Sequence, residues 1–165
     1  MALPGMSTLG IRFLYGIETT AGTKPASFTE LSRINSIGGI SIDVETIDAS
    51  ALIDKVTRSV AGRGDTGGDF TVGVNITPNT ITEWQTLISA YKTAKADGKQ
   101  TWFEVYHPDL TSGAFFIVAE PPQEIPMPES GQNELWVVEF PLTINEYRGL
   151  ETAVVPQNLS DDDGQ

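Results

Sequence analysis

The chain is expected to fold as a mainly β protein with one amphipathic α-helix laid across its strands. Three features of the sequence predict this. Several stretches alternate apolar and polar residues, one stretch repeats its apolar residues every 3.6 positions, and Gly and Pro punctuate the rest. The helix is the clearest element, spanning Pro78 to Gly98. Ile81, Trp84, Leu87, Ile88 and Tyr91, continued by Ala94, form a single buried helix stripe. Thr80 with Glu83 three residues later reads as a capping box, and Asp97-Gly98 reads as the stop. Lys92 and Lys95 sit where the helix dipole favours cations. No residue of the stripe is a ligand type, so the helix reads as architecture.

The strands follow from period-2 alternation. Between Ser36 and Ile47, the apolar Ile40, Ile42 and Val44 alternate with Ser41, Asp43 and Glu45. Asp69 to Thr77 places Phe70, Val72, Val74 and Ile76 on one face and Thr71, Gly73, Asn75 and Thr77 on the other. Gln100 to Tyr106 and the doubly apolar Gly113 to Glu120 follow the helix. Glu134 to Ile144 closes the set, with Trp136, Val138, Phe140 and Leu142 inward, and Pro141 pointing to an edge or bulge. Between the first two strands, Asp48 to Gly68 reads as a long, polar, Gly-rich connection, of a length that usually has a job. Arg63-Gly64-Asp65 within it reads as a turn. A stiff Pro-rich connection starts at Pro121.

One domain over 1–150 is expected, with 1–30 as an N-terminal docking segment too often broken by Gly to pack alone, and 151–165 as an acidic, disordered tail. Ten Lys and Arg against 22 Asp and Glu give a net charge of −12, which disfavours tight binding to phosphate backbones. There is no cysteine, hence no disulfide or thiolate chemistry. The N-terminus lacks signal-peptide patterning, and no apolar run approaches the ~20 residues of a membrane span. A soluble subunit without membrane insertion is expected.

Thr29-Glu30-Leu31, Ile34 to Gly39, Glu45, Ile47-Asp48, Gly62 to Gly68, Phe70 to Ile76, Glu83-Trp84, Trp102-Phe103 and Trp136 to Leu142 occur in an order that resembles the major tail tube proteins of long, flexible-tailed (siphophage, lambda-like) bacteriophages. The resemblance spans roughly 29–150. It implies the tail-tube fold, a β-sandwich or half-barrel with a helix on one side, shared with type VI secretion tube proteins. It also implies homohexameric rings stacked into a hollow tube that conducts the DNA genome during ejection. The partners implied are the chain itself and other tail proteins (tape measure, terminator, distal tail), with DNA passing through without tight binding. The place implied is the virion tail, assembled in the host bacterial cytoplasm.

Within that frame, Ser41, Asp43, Glu45, Thr71, Asn75 and Thr77 are candidate lumen-facing residues, since an acidic, hydroxylated wall repels DNA. Leu52, Ile53, Val56, Arg58, Val60, Arg63 and Asp65 are candidates for an inter-subunit or inter-ring loop. Catalysis is not expected, and neither is a cofactor or metal. The sole histidine, His107, lies in a turn before Pro108, and no phosphate-binding, dinucleotide or metal-ligand spacing occurs. Two other readings are a secretion-system tube protein and a carbohydrate- or receptor-binding β-sandwich. Trp84 and Trp136, both expected inside, speak against the second.

Overall fold

The structure is a computed structural model, and it describes residues 4–155. Nine strands and one helix follow in the order β1 (Arg12–Ile17), β2 (Thr29–Leu31), β3 (Ile34–Ile37), β4 (Asp43–Asp48), β5 (Ser59–Asp65), β6 (Asp69–Asn75), α1 (Pro78–Ala96), β7 (Thr101–Tyr106), β8 (Ala114–Glu120) and β9 (Val137–Glu151). Seven of the strands form one antiparallel sheet ordered β2-β1-β7-β8-β9-β6-β3, and β4 and β5 pair only with each other. The fold is mainly β with one helix, as expected.

The sheet cannot be flat. Six strand spacings of about 4.8 Å would separate its edges by roughly 29 Å. Yet β2 and β3, the two edges, are joined by Ser32 and Arg33 alone, a span of at most about 11 Å. The sheet therefore curls until its borders nearly meet at that corner, with Arg33 in the left-handed region (φ 54°). Glu83 of α1 ties the corner down: its carboxylate accepts from the Ser32 N–H at 3.0 Å and the Ser32 hydroxyl at 2.7 Å.

Inside the curl lies the main core. Phe13, Leu31, Val72, Phe103, Ile117 and Phe140, from six different strands, pack with Trp84 and Leu87 of the helix. Trp84 is fully buried and stacks on Phe140, with ring centroids 3.8 Å apart and planes 3° apart. Ile88 and Tyr91 are also buried, whereas Ile81 is only half-buried. The cap lies one turn earlier than expected. Thr77 is the N-cap, its hydroxyl accepting from the Thr80 N–H at 3.1 Å while Thr80 Oγ1 accepts from the Thr77 N–H at 2.9 Å. Pro78 then occupies the first turn, where its missing N–H costs nothing. At the other end Gly98 (φ 74°) closes a Schellman cap through Lys99 N–H to Ala94 C=O at 2.8 Å.

Several expectations are corrected. Part of the expected docking segment 1–30 packs on its own domain instead: β1 lies between β2 and β7, and Phe13 and Leu14 are fully buried. Its alternation is short, but burial on both sides of the sheet makes it a central strand. The stretch Ser36 to Ile47 is two strands in two sheets, broken at 38–42. A third of the long connection is strand β5, and Arg63 to Asp65 lie in that strand rather than in a turn. Gly62 and Gly64 hide it from any propensity scale. Trp136 is about half exposed: it lies just before β9, where the regular register with β6 ends at Val137 and only its carbonyl is still engaged, by the Ile76 N–H at 2.9 Å. Pro141 fits for a specific reason: β9 there has β6 on one side only, and β8 joins at Thr143.

The outer face of the sheet carries a second cluster, Leu14, Trp102, Phe116 and Val118, covered by Phe28, Ala153 and Val154. Two buried acids organise it. Glu18 accepts from the N–H groups of Gly22 and Gln100 and from Trp102 Nε1 at 2.9 Å. Glu104, fully buried, accepts from the Val154 N–H at 2.9 Å, while its Oε1 has no partner among the described residues. Lys24 clamps the same strap, donating to the Thr152 carbonyl at 2.8 Å and lying 3.7 Å from the Phe116 ring centre. Glu151 to Val154, the start of the tail expected to be disordered, are thus held against the sheet; Asp161 to Asp163 lie outside the described residues.

Burial pushes the Glu104 carboxyl up from its ordinary 4.5 to about 7, with the Val154 hydrogen bond and Lys24 opposing. The folded chain thus holds a proton there that the unfolded chain releases near pH 4.5. Stability from this group is greatest below about pH 4.5, declines as pH rises to about 7, and is flat above. We expect Glu104→Gln to remove a decline on the order of 2 kcal/mol between pH 4.5 and 7.5. Denaturant melts at the two pH values check this. Identical wild-type and variant differences would refute it.

Candidate functional site

The β4–β5 ribbon projects as an arm. Every residue of β4 is exposed, and in β5 only Gly62 is partly covered. An isolated two-stranded ribbon is marginal in water, and this one is poorly built to stand alone. Asp43 lies directly opposite Asp65, a like-charge pair that disfavours pairing. Its apolar residues are split between its faces: Ile42 and Val44 beside Gly64 on one, Ile47 opposite Val60 on the other. All four are about half exposed.

Beyond the ribbon, the tip is exposed but ordered. Leu52, Ile53 and Val56 are 108%, 88% and 77% exposed. The loop beneath them is held by Asp54, which accepts from the Ala51 N–H at 2.8 Å and from Arg58 Nε at 3.1 Å. Ser50 Oγ adds an acceptor for the Arg58 N–H at 2.8 Å. Of the loop candidates, Leu52, Ile53 and Val56 share the tip with Arg58 at its base, whereas Val60, Arg63 and Asp65 run along β5.

The candidate lumen residues do not form one face within a single copy. Ser41, Asp43 and Glu45 are exposed on or beside the arm. Thr71 and Asn75 share the outer face of β6, in the other sheet, where Asn75 accepts from Asn35 Nδ2 at 2.8 Å. Thr77 spends its hydroxyl on the helix cap.

Sequence reasoning missed a second feature, a cleft of about 580 Å³ between the Pro-rich connection and the start of β9. Pro126, Met127, Glu129, Glu134 and Leu135 line it, with Val137 to Glu139. Met127 is 91% exposed and Leu135 65%. A methionine isolated among prolines and acids was the available signal.

Both nitrogens of His107 are engaged: Nδ1 accepts from the Asp109 N–H at 3.0 Å, so Nε2 carries the proton and donates to the Ser7 carbonyl at 2.9 Å. Among the described residues no group of three or more His, Asp or Glu could hold a metal ion. Nor is any helix long and apolar enough to cross a membrane. Trp84 and Trp102 are buried, leaving Trp136 as the one partly exposed indole.

No family model matches the sequence, and no curated protein matches it. Solved structures do. One is a sheath/tube terminator of an extracellular contractile injection system (PVC) in its extended state, 15% identical with a TM-score of 0.56, covering 88% of this chain and 96% of that one. Another, from the tail of an empty GTA particle of C6 symmetry, is 15% identical with a TM-score of 0.55, covering 90% and 100%. This chain shares its fold with tail components. Identities this low speak to the fold alone, and coverage of almost the whole of both chains shows that the likeness is to the full fold rather than to a shared motif.

Proposed function

We propose that the chain is a structural subunit of a phage-type tail tube, closing homohexameric rings that stack around a channel for DNA. The observation that carries this reading is the arm: an apolar-tipped ribbon, pinned by its own hydrogen bonds, with no cover among the described residues. Burying such a ribbon on a neighbour removes its exposed Ile, Leu and Val from water, at roughly 25 cal/mol per Å². The curled sheet contributes less than bare edges would, since its borders are only the short strands β2 and β3. The fold it shares with tail components supports the same conclusion. Negative-stain microscopy of the purified protein across a concentration series tests it. Rings or hollow tubes are expected; a particle that stays monomeric at high concentration rejects the reading.

A second reading is favoured by one comparison, whose partner is a terminator. A terminator closes a tube end, so it would give single rings and never tubes in the same images.

In this reading Asp43 and Glu45 line the channel, with Asp65 across the ribbon from Asp43. Duplex DNA carries a charge about every 1.7 Å, so a lysine wall would retain it. Replacing both Asp43 and Glu45 with Lys should leave assembly intact and slow DNA release at least several-fold. Ejection timed by dye uptake decides, and an unchanged rate moves these residues out of the channel.

A further inference from the structure

We propose that the arm tip of one copy seats in the cleft between the Pro-rich connection and β9 of a second copy. This rests on the reading of the arm as a contact between copies and names the surface that receives it. The two surfaces complement one another in charge and polarity. Asp54 is already neutralised by Arg58, so the tip offers Leu52, Ile53 and Val56 around Lys55, which makes no ion pair among the described residues. The cleft offers Met127 and Leu135 as apolar rim, and Glu129, Glu134 and Glu139 as acids without an ion-pair partner among the described residues. Carboxylates with no cation and a cation with no carboxylate thus stand on one chain, each set beside exposed hydrophobic side chains.

Both sides are preorganised, which lowers the ordering cost of association. The tip is pinned by the Asp54 and Ser50 hydrogen bonds, and the cleft wall is stiffened by Pro126 and Pro128. Leu52 is wholly exposed, so the tip does not occupy its own chain's cleft. A patch that fits a different patch on an identical molecule makes a heterologous contact, the kind that closes rings or propagates a stack. Lys55 brought among the acids gains charge-assisted hydrogen bonds as the apolar rim excludes water.

The chain has no cysteine, so a designed pair reports the contact without background. The variant carrying both Ile53→Cys and Leu135→Cys, oxidised under assembly conditions, should give a ladder of covalent multimers on a non-reducing gel. Ile53→Cys paired with Gln85→Cys, on the exposed helix face, should give none. As a second measure, Lys55→Glu should raise the concentration needed for assembly at least tenfold, and adding Glu134→Lys should restore it. Rings or tubes without the ladder and without charge-reversal rescue would overturn the cleft as receptor while leaving the arm reading intact. Monomers throughout, in wild type and variants alike, would overturn both.

Discussion

Replacing Asp43 to Asp65 with an Asn-Gly turn yields a folded monomer that forms neither rings nor tubes. The register makes this deletion clean. Asp43 pairs with Asp65, so the two cut ends lie only about 5 Å apart, and a two-residue turn spans them. The removed ribbon contributes no residue to either buried cluster. Its melting temperature should therefore stay within about 3 °C of wild type, a shift of less than roughly 1 kcal/mol for a chain of this size. Assembly should be lost outright, because Leu52, Ile53 and Val56 go with it. Light scattering and microscopy read the assembly, and circular dichroism reads the fold. Tubes formed by the armless chain would show that the arm is ornamental; an unfolded product would show that it belongs to the core.

Trp84→Ala should cost about 3–5 kcal/mol, the usual range for emptying a buried aromatic site. Against a total stability of about 5–15 kcal/mol, this is a large share of what keeps the chain folded. The magnitude follows from position. Trp84 is fully buried, stacks on Phe140, and is the helix's largest contribution to the core inside the curled sheet. Its Nε1–H finds no acceptor among the described residues. Trp84→Phe removes that orphan donor and keeps an aromatic ring, so it should cost less than half as much. Thermal melts of the two variants separate these outcomes. An alanine variant melting within 2 °C of wild type would mean that the helix is not what fills the curl.

Much of this fold was legible in the chain, for reasons that residues make plain. The stripe Trp84, Leu87, Ile88 and Tyr91 recurs at helical period within a nineteen-residue helix, and no strand could bury it on one side. Phe70, Val72 and Val74 alternate as a half-buried strand must, and they face the core. The arm was half legible: Leu52, Ile53 and Val56 stood out as apolar residues in a polar stretch, but glycines concealed the strand at Ser59–Asp65. The cap was misplaced by one turn because Thr77 and Thr80 are equally good caps, and Pro78, which fits only the first turn, settles the register.

What alternation and period determined by themselves was which residues need burial and in which kind of element, because those depend on backbone geometry a few residues long. Which sheet each strand would join was decided by the tertiary structure alone. Ile42 and Val44 carry the same local pattern as Phe70 and Val72, yet one pair stays at the surface and the other fills the core. The difference lies in the neighbours: β6 has β3, β9 and the helix to cover it, and β4 has only β5. Burial is a property of what arrives on the far side of a strand, and that is fixed by contacts distant in sequence.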